Sequence, residues 1–362
     1  MLQTVEKHLV ANQLEEARVL CSGICNSNPS HAEACFCMSR ILAAQGNVSG
    51  AIEYADKAAS IKPDWFDAWM MISGLAGMLE NLDVSEHAAR MAVQLNPSDP
   101  GAYINLGHAL SGKQDTQAAI ICYREALRLD PSLEKVRYRI ASLGGEAAPA
   151  RAPDQYIAGL FDVYAEKFEA HLTQKLDYQT PAHIMSALAS CIEPHAGVGL
   201  NILDLGCGTG LCGELLRVVS HKLVGVDLSS GMLEVARKKE KYDELVEQEV
   251  VAYLNECGQP FDVIVAADLL VYLGDLSSLF AAAQAVLTGG GLFVFSVEAA
   301  DIGSEFELCT TGRYRHSLAY IRELANASAF NVLIEACVEL RKEAQSPVQG
   351  YIVVLKSTAL AD

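Results

Sequence analysis

Along the first half of the chain, apolar and small residues recur at helical spacing, and the pattern returns every 34 positions. Pro29, Pro63, Pro97 and Pro131 mark that period. Ala17, Ala51 and Ala119 share one register, with Ser85 in the third unit, while Ala58, Ala92 and Ala126 share another, with Ile24 in the first. Small side chains at such sites let paired helices approach closely. The larger packing slots fall to Trp69, Tyr103 and Tyr123. The pattern predicts helix–turn–helix units at about 1–31, 32–65, 66–99 and 100–133, each closed by its proline, and an amphipathic cap from Ser132 to Leu143.

From Asn201 the pattern changes to apolar strand, glycine turn and helix. NILDLGCGTG (201–210), HKLVGVDLS (221–229), FDVIVAADLL (261–270) and GLFVFSVEA (291–299) read as successive strands, and NVLIEACVEL (331–340) with GYIVVLK (350–356) closes the series. Strands alternating with helices predict a mostly parallel sheet covered on both faces. Ligands in such sheets bind at the carboxyl ends of the strands. Ahead of the sheet, Phe161, Tyr164 and Phe168 lie on one stripe of an amphipathic helix. Small residues and two prolines between Gly144 and Pro153 read as a linker. The expected organisation is a repeat domain over 1–143, a linker over 144–155 and a second domain over 156–362.

Composition narrows the function. A chain of 362 residues, 51% hydrophobic and 20% charged, suits two or three globular domains. Its mean hydropathy of +0.18 raises the question of a membrane span. The most apolar window, Leu279 to Val297, is interrupted by Gly289, Gly290 and Gly291 and reads as helix, turn and strand. A net charge of -18 argues against phosphate-backbone binding. The one dense basic run, Arg237, Lys238, Lys239 and Lys241, reads as a solvated helix end. The opening MLQTVEKHLVANQLEEARVL lacks the basic-then-apolar order of a secretion signal. Eleven cysteines then suit thiols in a reducing cytoplasm. Cys21, Cys25, Cys35 and Cys37 raise the question of zinc, but Cys35 and Cys21 fill the repeat slots of Trp69 and Tyr123, so no metal is expected.

The chemistry centres on the turn after the first strand. Gly206, Gly208 and Gly210 alternate, and Leu211 stands where a dinucleotide-binding turn would have its third glycine. Asp204 lies inside the strand, two positions before Gly206. Glycines there let the backbone approach a ligand without a side-chain clash. Asp227, at the end of the next strand, can accept from both hydroxyls of a ribose.

This turn resembles motif I of class I S-adenosylmethionine-dependent methyltransferases. Leu228-Ser-Ser-Gly-Met232-Leu233 is similar to the family's stretch after the ribose-binding acid. The resemblance implies S-adenosyl-L-methionine as cofactor, with Leu228 and Met232 flanking adenine. Glu249 stands where the family usually has an Asp near the adenine amino group, a departure from the pattern. Asp268 matches motif IV at the methionine end, and the Asn-Pro-Pro-Tyr signature of base-amino methylation is absent. The first half resembles the tetratricopeptide family, whose Leu-Gly pair is matched by Leu106-Gly107. The fold expected is thus an all-α tetratricopeptide solenoid followed by an α/β Rossmann-like methyltransferase domain, as in bacterial methyltransferases with such an array.

In such proteins a leading helix folds over the cofactor like a lid. Tyr164 is the candidate for its carboxylate, and His171 and Tyr178 are candidates for the substrate. Acceptor-pocket candidates follow the fourth and fifth strands: Tyr272, Glu298 and His316 for catalysis, and Arg313, Tyr314 and Tyr320 for binding. The segment TGRYRHSLAYI (311–321) reads equally as a pocket wall or as a solvated helix start. Two acceptor readings follow. Either the repeat groove recruits a protein or peptide whose oxygen or nitrogen is methylated, or a small molecule is methylated while the repeats dimerise or brace the protein. A third reading, cofactor binding without catalysis, is disfavoured because motif I and Asp227 are intact.

Overall fold

The computed structural model is described over residues 1–192, 199–300, 303–343 and 346–358, apart from the side chains of residues 163, 164, 166, 167, 170, 171 and 173–175. It divides into two compact units, Met1–Gly145 and Glu146–Asp362.

The first unit is a run of paired helices: α1 (Leu2–Val10), α2 (Leu14–Ser27), α3 (Ala32–Ala44), α4 (Val48–Ile61), α5 (Phe66–Met78), α6 (Leu82–Leu95), α7 (Pro100–Gly112), α8 (Thr116–Leu129) and α9 (Glu134–Ser142). The turn inside each pair has one residue in the left-handed region, at Asn12, Gly46, Glu80 and Gln114, one per repeat. The next residue caps the second helix: Asn47, Asn81 and Asp115 accept the N–H of Gly50, Val84 and Ala118. The small-residue registers are buried, with Ala17, Ala51, Ala119, Ala58, Ala92 and Ala126 fully enclosed. Ser85 keeps its register because its hydroxyl donates to Ser73 O at 2.9 Å, and the Ser73 hydroxyl donates back to Ser85 O at 3.1 Å. At Gly107 a Cβ would lie 2.5 Å from the Tyr123 ring, so the ring occupies the space the glycine leaves. Cys21, Cys25, Cys35 and Cys37 are buried in this unit, and burial pushes the Cys37 thiol up to about 12.

The second unit begins with α10 (Asp154–Lys175) and α11 (Thr180–Ala189). Next come β1 (Leu200–Leu205), α12 (Leu211–Leu216), β2 (Ser220–Asp227), α13 (Ser230–Lys238), β3 (Glu244–Glu247), α14 (Val250–Glu256) and β4 (Phe261–Ala266). A single 3-10 turn over Leu270–Tyr272 leads into α15 (Ser277–Val286), β5 (Leu287–Glu298), β6 (Phe306–Leu308), β7 (Tyr314–His316), α16 (Leu318–Ala327), β8 (Phe330–Glu343) and β9 (Ser346–Ser357). The sheet order is β3-β2-β1-β4-β5-β9-β8. The first five strands are parallel, while β9 runs antiparallel to both β5 and β8. Alternation along β4 sends Ile264 and Ala266 into one core and Val263 and Val265 into the other, which explains its unbroken apolar run. The chain reverses direction across the sheet between β1 and β4, the place where open α/β sheets form a ligand crevice.

Two features add detail to the sequence expectation. The stretch read as linker is bonded to the second unit: Gly274 N and Asp275 N donate to Ala150 O, and Ala152 N donates to Tyr272 O. The segment 311–321 is a short strand that runs into the start of a helix. Tyr314–His316 pairs with Phe306–Leu308 as a small antiparallel sheet, and Ser317 caps α16 by accepting from Tyr320 N. No helix among the described residues is long and apolar enough to cross a membrane.

Candidate functional site

The turn from β1 into α12 starts the site. Gly206, Gly208 and Gly210 all have positive φ, at 65°, 53° and 87°. A Cβ on Gly208 would meet nothing within 4 Å, so this backbone faces open space. Gly208 N donates to Asp227 Oδ2 at 2.8 Å, and Ser229 N donates to Asp227 Oδ1 at 2.8 Å. These bonds fix the carboxylate at the end of β2, and each oxygen keeps accepting capacity for a ligand hydroxyl. Burial raises the Asp227 pKa. Ser229 then caps α13, accepting from Met232 N at 3.1 Å and donating to Asp162 Oδ1 on α10 at 2.5 Å. Helix α10 is thereby tied to the start of α13.

Deeper in the sheet, Asp204 is 1% exposed and accepts from the Tyr242 hydroxyl at 2.7 Å. Burial, with Asp227 adding repulsion, raises its pKa to about 7. Asp268, just past β4, has positive φ, and its backbone N–H donates to Ser296 Oγ at 2.9 Å. Burial raises its pKa while the Arg341 guanidinium opposes the shift. The Tyr272 ring meets Phe161 edge-on at 5.6 Å, and the same tyrosine interacts electrostatically with the Arg313 guanidinium.

These groups surround one cleft, open to solvent and mostly apolar in its walls. Its lining joins Asp204, Gly206, Gly208, Asp227, Leu228 and Met232 from the first two strand ends to Asp268, Leu269 and Tyr272 after β4. Ile157, Phe161, Phe168 and Leu172 of α10 form another wall. Tyr178, Glu249 and Arg313 also line it. Glu249 is already committed, accepting from Ala252 N at 2.9 Å and pairing with Arg151 at 3.0 Å. Gly210 is not in the lining; its Cβ position faces Tyr242 at 3.0 Å. Tyr164 and His171 fall on α10, but their side chains lie outside the described residues.

The remaining acceptor candidates stand behind the wall. Glu298 is 4% exposed and receives Arg341 Nη2 at 2.5 Å and Arg313 Nη1 at 3.4 Å. His316 is fully buried with Nε2 3.1 Å from Gly274 O, and burial lowers its pKa to about 4. The ring is enclosed against Gly274 and is not among the residues lining the cleft. Tyr314 donates to Pro149 O at 2.6 Å, and the Tyr320 hydroxyl accepts from Leu276 N at 2.9 Å. Neither lines the cleft. The lining residue that sequence reasoning missed is Arg341, 1% exposed on β8. It lies one position beyond the apolar run read as that strand, and a lone arginine ending such a run is the signal that was there to use.

Two family models match parts of the chain. A family model described as "Methyltransferase domain" matches residues 202–291, and one described as "Tetratricopeptide repeat" matches residues 100–133. A ubiquinone biosynthesis O-methyltransferase of Ruegeria sp. (strain TM1040) is 34% identical over 101 residues, 27% of this chain and 41% of that protein. The biotin biosynthesis bifunctional protein BioHC of Saccharophagus degradans is 30% identical over 144 residues, 37% of this chain and 26% of that protein. The chain thus spans less than half the length of either relative. Among solved structures, the Burkholderia thailandensis 1,6-didemethyltoxoflavin-N1-methyltransferase aligns at TM-score 0.46 and 19% identity, covering 59% of this chain and 94% of its own.

Proposed function

We propose that this chain, which carries tetratricopeptide repeats and a methyltransferase domain, transfers a methyl group from S-adenosyl-L-methionine to an oxygen or nitrogen of a small acceptor. The observation that carries the reading is the convergence of Gly208, Asp227 and Asp268 on one cleft from the carboxyl ends of β1, β2 and β4. The residues fit the cofactor: Gly208 offers bare backbone, Asp227 offers an oriented carboxylate for a ribose, and Leu228 and Met232 offer apolar surface for a purine. When bound, the cofactor would supply a methyl carbon made electrophilic by the adjoining sulfonium, with the neutral thioether as leaving group. The protein's share is then alignment and exclusion of water by the α10 wall. An acceptor hydroxyl must also lose a proton, and Asp268, a carboxylate lining the cleft just past β4, is placed to take it.

A small acceptor takes precedence over a peptide because α10 supplies one whole wall of the cleft. The O-methyl transfer named for the ubiquinone biosynthesis relative supports an oxygen acceptor. The repeats support a docked protein or peptide partner, or a second copy of the chain, and the odd count of eleven cysteines supports a cytoplasmic setting. Calorimetry with S-adenosylhomocysteine tests the reading. Binding to the wild type, weakened in Asp227→Ala by about 1.5–3 kcal/mol as expected for a hydrogen bond to a charged group, supports it. Absence of binding to the wild type overturns it. For the repeats, residues 146–362 alone, provided they still bind S-adenosylhomocysteine, should methylate a small acceptor and fail on one recruited by the repeats.

A further inference from the structure

Arg341 and Arg313 line the cleft, yet holding the cofactor uses neither. Arg341 is 1% exposed, so its charge has left water and must be matched by its neighbours. Its Nε and Nη2 donate to Glu343 Oε1 at 2.9 and 2.8 Å, and Nη2 also donates to Glu298 Oε1 at 2.5 Å. Nη1 differs. Among the described residues this buried nitrogen has no hydrogen-bond partner, and the carboxylate it approaches, Asp268 Oδ2, stays 3.8 Å away. Arg313 shares the same two glutamates, with Nη1 at 3.2 Å from Glu343 and 3.4 Å from Glu298. Its guanidinium also meets Tyr272, whose ring belongs to the aromatic wall.

A guanidinium presents five N–H groups in a rigid planar fork. Here three of the five are engaged by glutamates, and the two on Nη1 are left over in a residue that lines the cleft. A ligand oxygen would complete the set, and a neighbouring second guanidinium favours an oxygen that carries negative charge. We propose that the acceptor bears a carboxylate, held by Arg341 Nη1 with Arg313 beside it. The carboxylate serves as an anchor. Its lone pairs, engaged by guanidinium, are weak nucleophiles, so the methyl group goes to another oxygen or nitrogen of the same molecule. This inference rests on the methyl-transfer reading and names the substrate class for that cleft.

The test uses the full chain saturated with S-adenosylhomocysteine, titrated by calorimetry with benzoate and with benzamide, which has a similar shape and no charge. Benzoate should bind at least tenfold more tightly than benzamide. That ratio should fall to near one in Arg341→Gln and fall severalfold in Arg313→Gln. Equal binding of the two probes by the wild type, or binding of neither, overturns the carboxylate assignment. So does a benzoate preference that persists in both variants. The S-adenosylhomocysteine titration is run first on every protein. Its failure on the wild type sinks the methyl-transfer reading and this inference together, and its success isolates the probe result. Should Arg341→Gln fail to fold, the wild-type ratio and the more exposed Arg313→Gln still decide the matter.

Discussion

The repeat unit and the sheet unit use buried polar and small residues in opposite ways. In the repeats, Ala51 and Ala119 matter because they are small, and Ser85 is tolerated because one exchange of hydrogen bonds with Ser73 satisfies it. The small-residue register itself returns at the same place in each repeat. In the sheet unit, Asp204, Asp268, Glu298, His316 and Arg341 are each held by a different set of partners, and no position repeats another. A solenoid therefore spreads its stability over similar neighbouring interfaces, whereas the cleft concentrates unlike charges whose effects couple.

The largest break in this comparison comes from removing a repeat's anchor. Tyr123→Ala should cost about 3–5 kcal/mol, as for other buried aromatics, read in the denaturation of the repeat unit. S-adenosylhomocysteine affinity should stay unchanged. A loss of affinity would show that the two units are not energetically separate.

The sheet unit's buried ionisable groups should instead respond to pH, and in opposite directions. Asp204 is raised from 3.8 to about 7, so the folded state holds its proton longer than the unfolded one. Its contribution to stability therefore falls as pH rises between those values, by up to about 1.4 kcal/mol per pH unit. His316 is lowered from 6.5 to about 4, so the unfolded state takes the proton first and stability is lost as pH falls through that range. Urea denaturation from pH 4 to 8 should show a modest net slope in the wild type. Relative to the wild type, Asp204→Asn should tilt the profile toward a rise with pH, and His316→Gln toward a fall. Parallel profiles for the two variants would refute both assignments.

Smaller effects sharpen the repeat side. Asn81→Ala removes the α6 cap and should cost about 1 kcal/mol, with Asn47→Ala giving a similar loss by thermal unfolding because the motif is the same one repeat earlier. Smallest is the left-handed turn position. Glu80→Gly should stabilise by up to about 1 kcal/mol, and Gly46→Ala should destabilise by a comparable amount. Like-signed shifts would mean that the two turns are not equivalent.

Much of the repeat unit was legible because its information is local. The prolines, the small-residue registers and the Leu106-Gly107 pair lie within one period of their partners, so sequence spacing reports spatial contact. The glycine turn and Asp227 were legible for a similar reason: a strand, a tight turn and a following acid describe one connected piece of chain. Phe161 and Phe168 were visible as a stripe, though the stripe alone did not say that it would wall a cleft. Glu298 and His316 looked chemical because of their residue types and fell behind the wall instead, since exposure to the cleft depends on which face of β5 and β7 turns inward.

The sequence by itself determined the period of the repeats, the alternation of strand and helix, and the backbone shape at Gly206, Gly208 and Gly210. Each follows from steric and hydrophobic preferences acting over a few tens of residues. Only the tertiary structure decided that Asp268, Arg313 and Arg341 meet. That meeting requires β9 to insert antiparallel between β5 and β8, and β8 to end with Arg341 against Glu298. Strand order and register are set by packing across the whole sheet, and no short stretch of sequence records them.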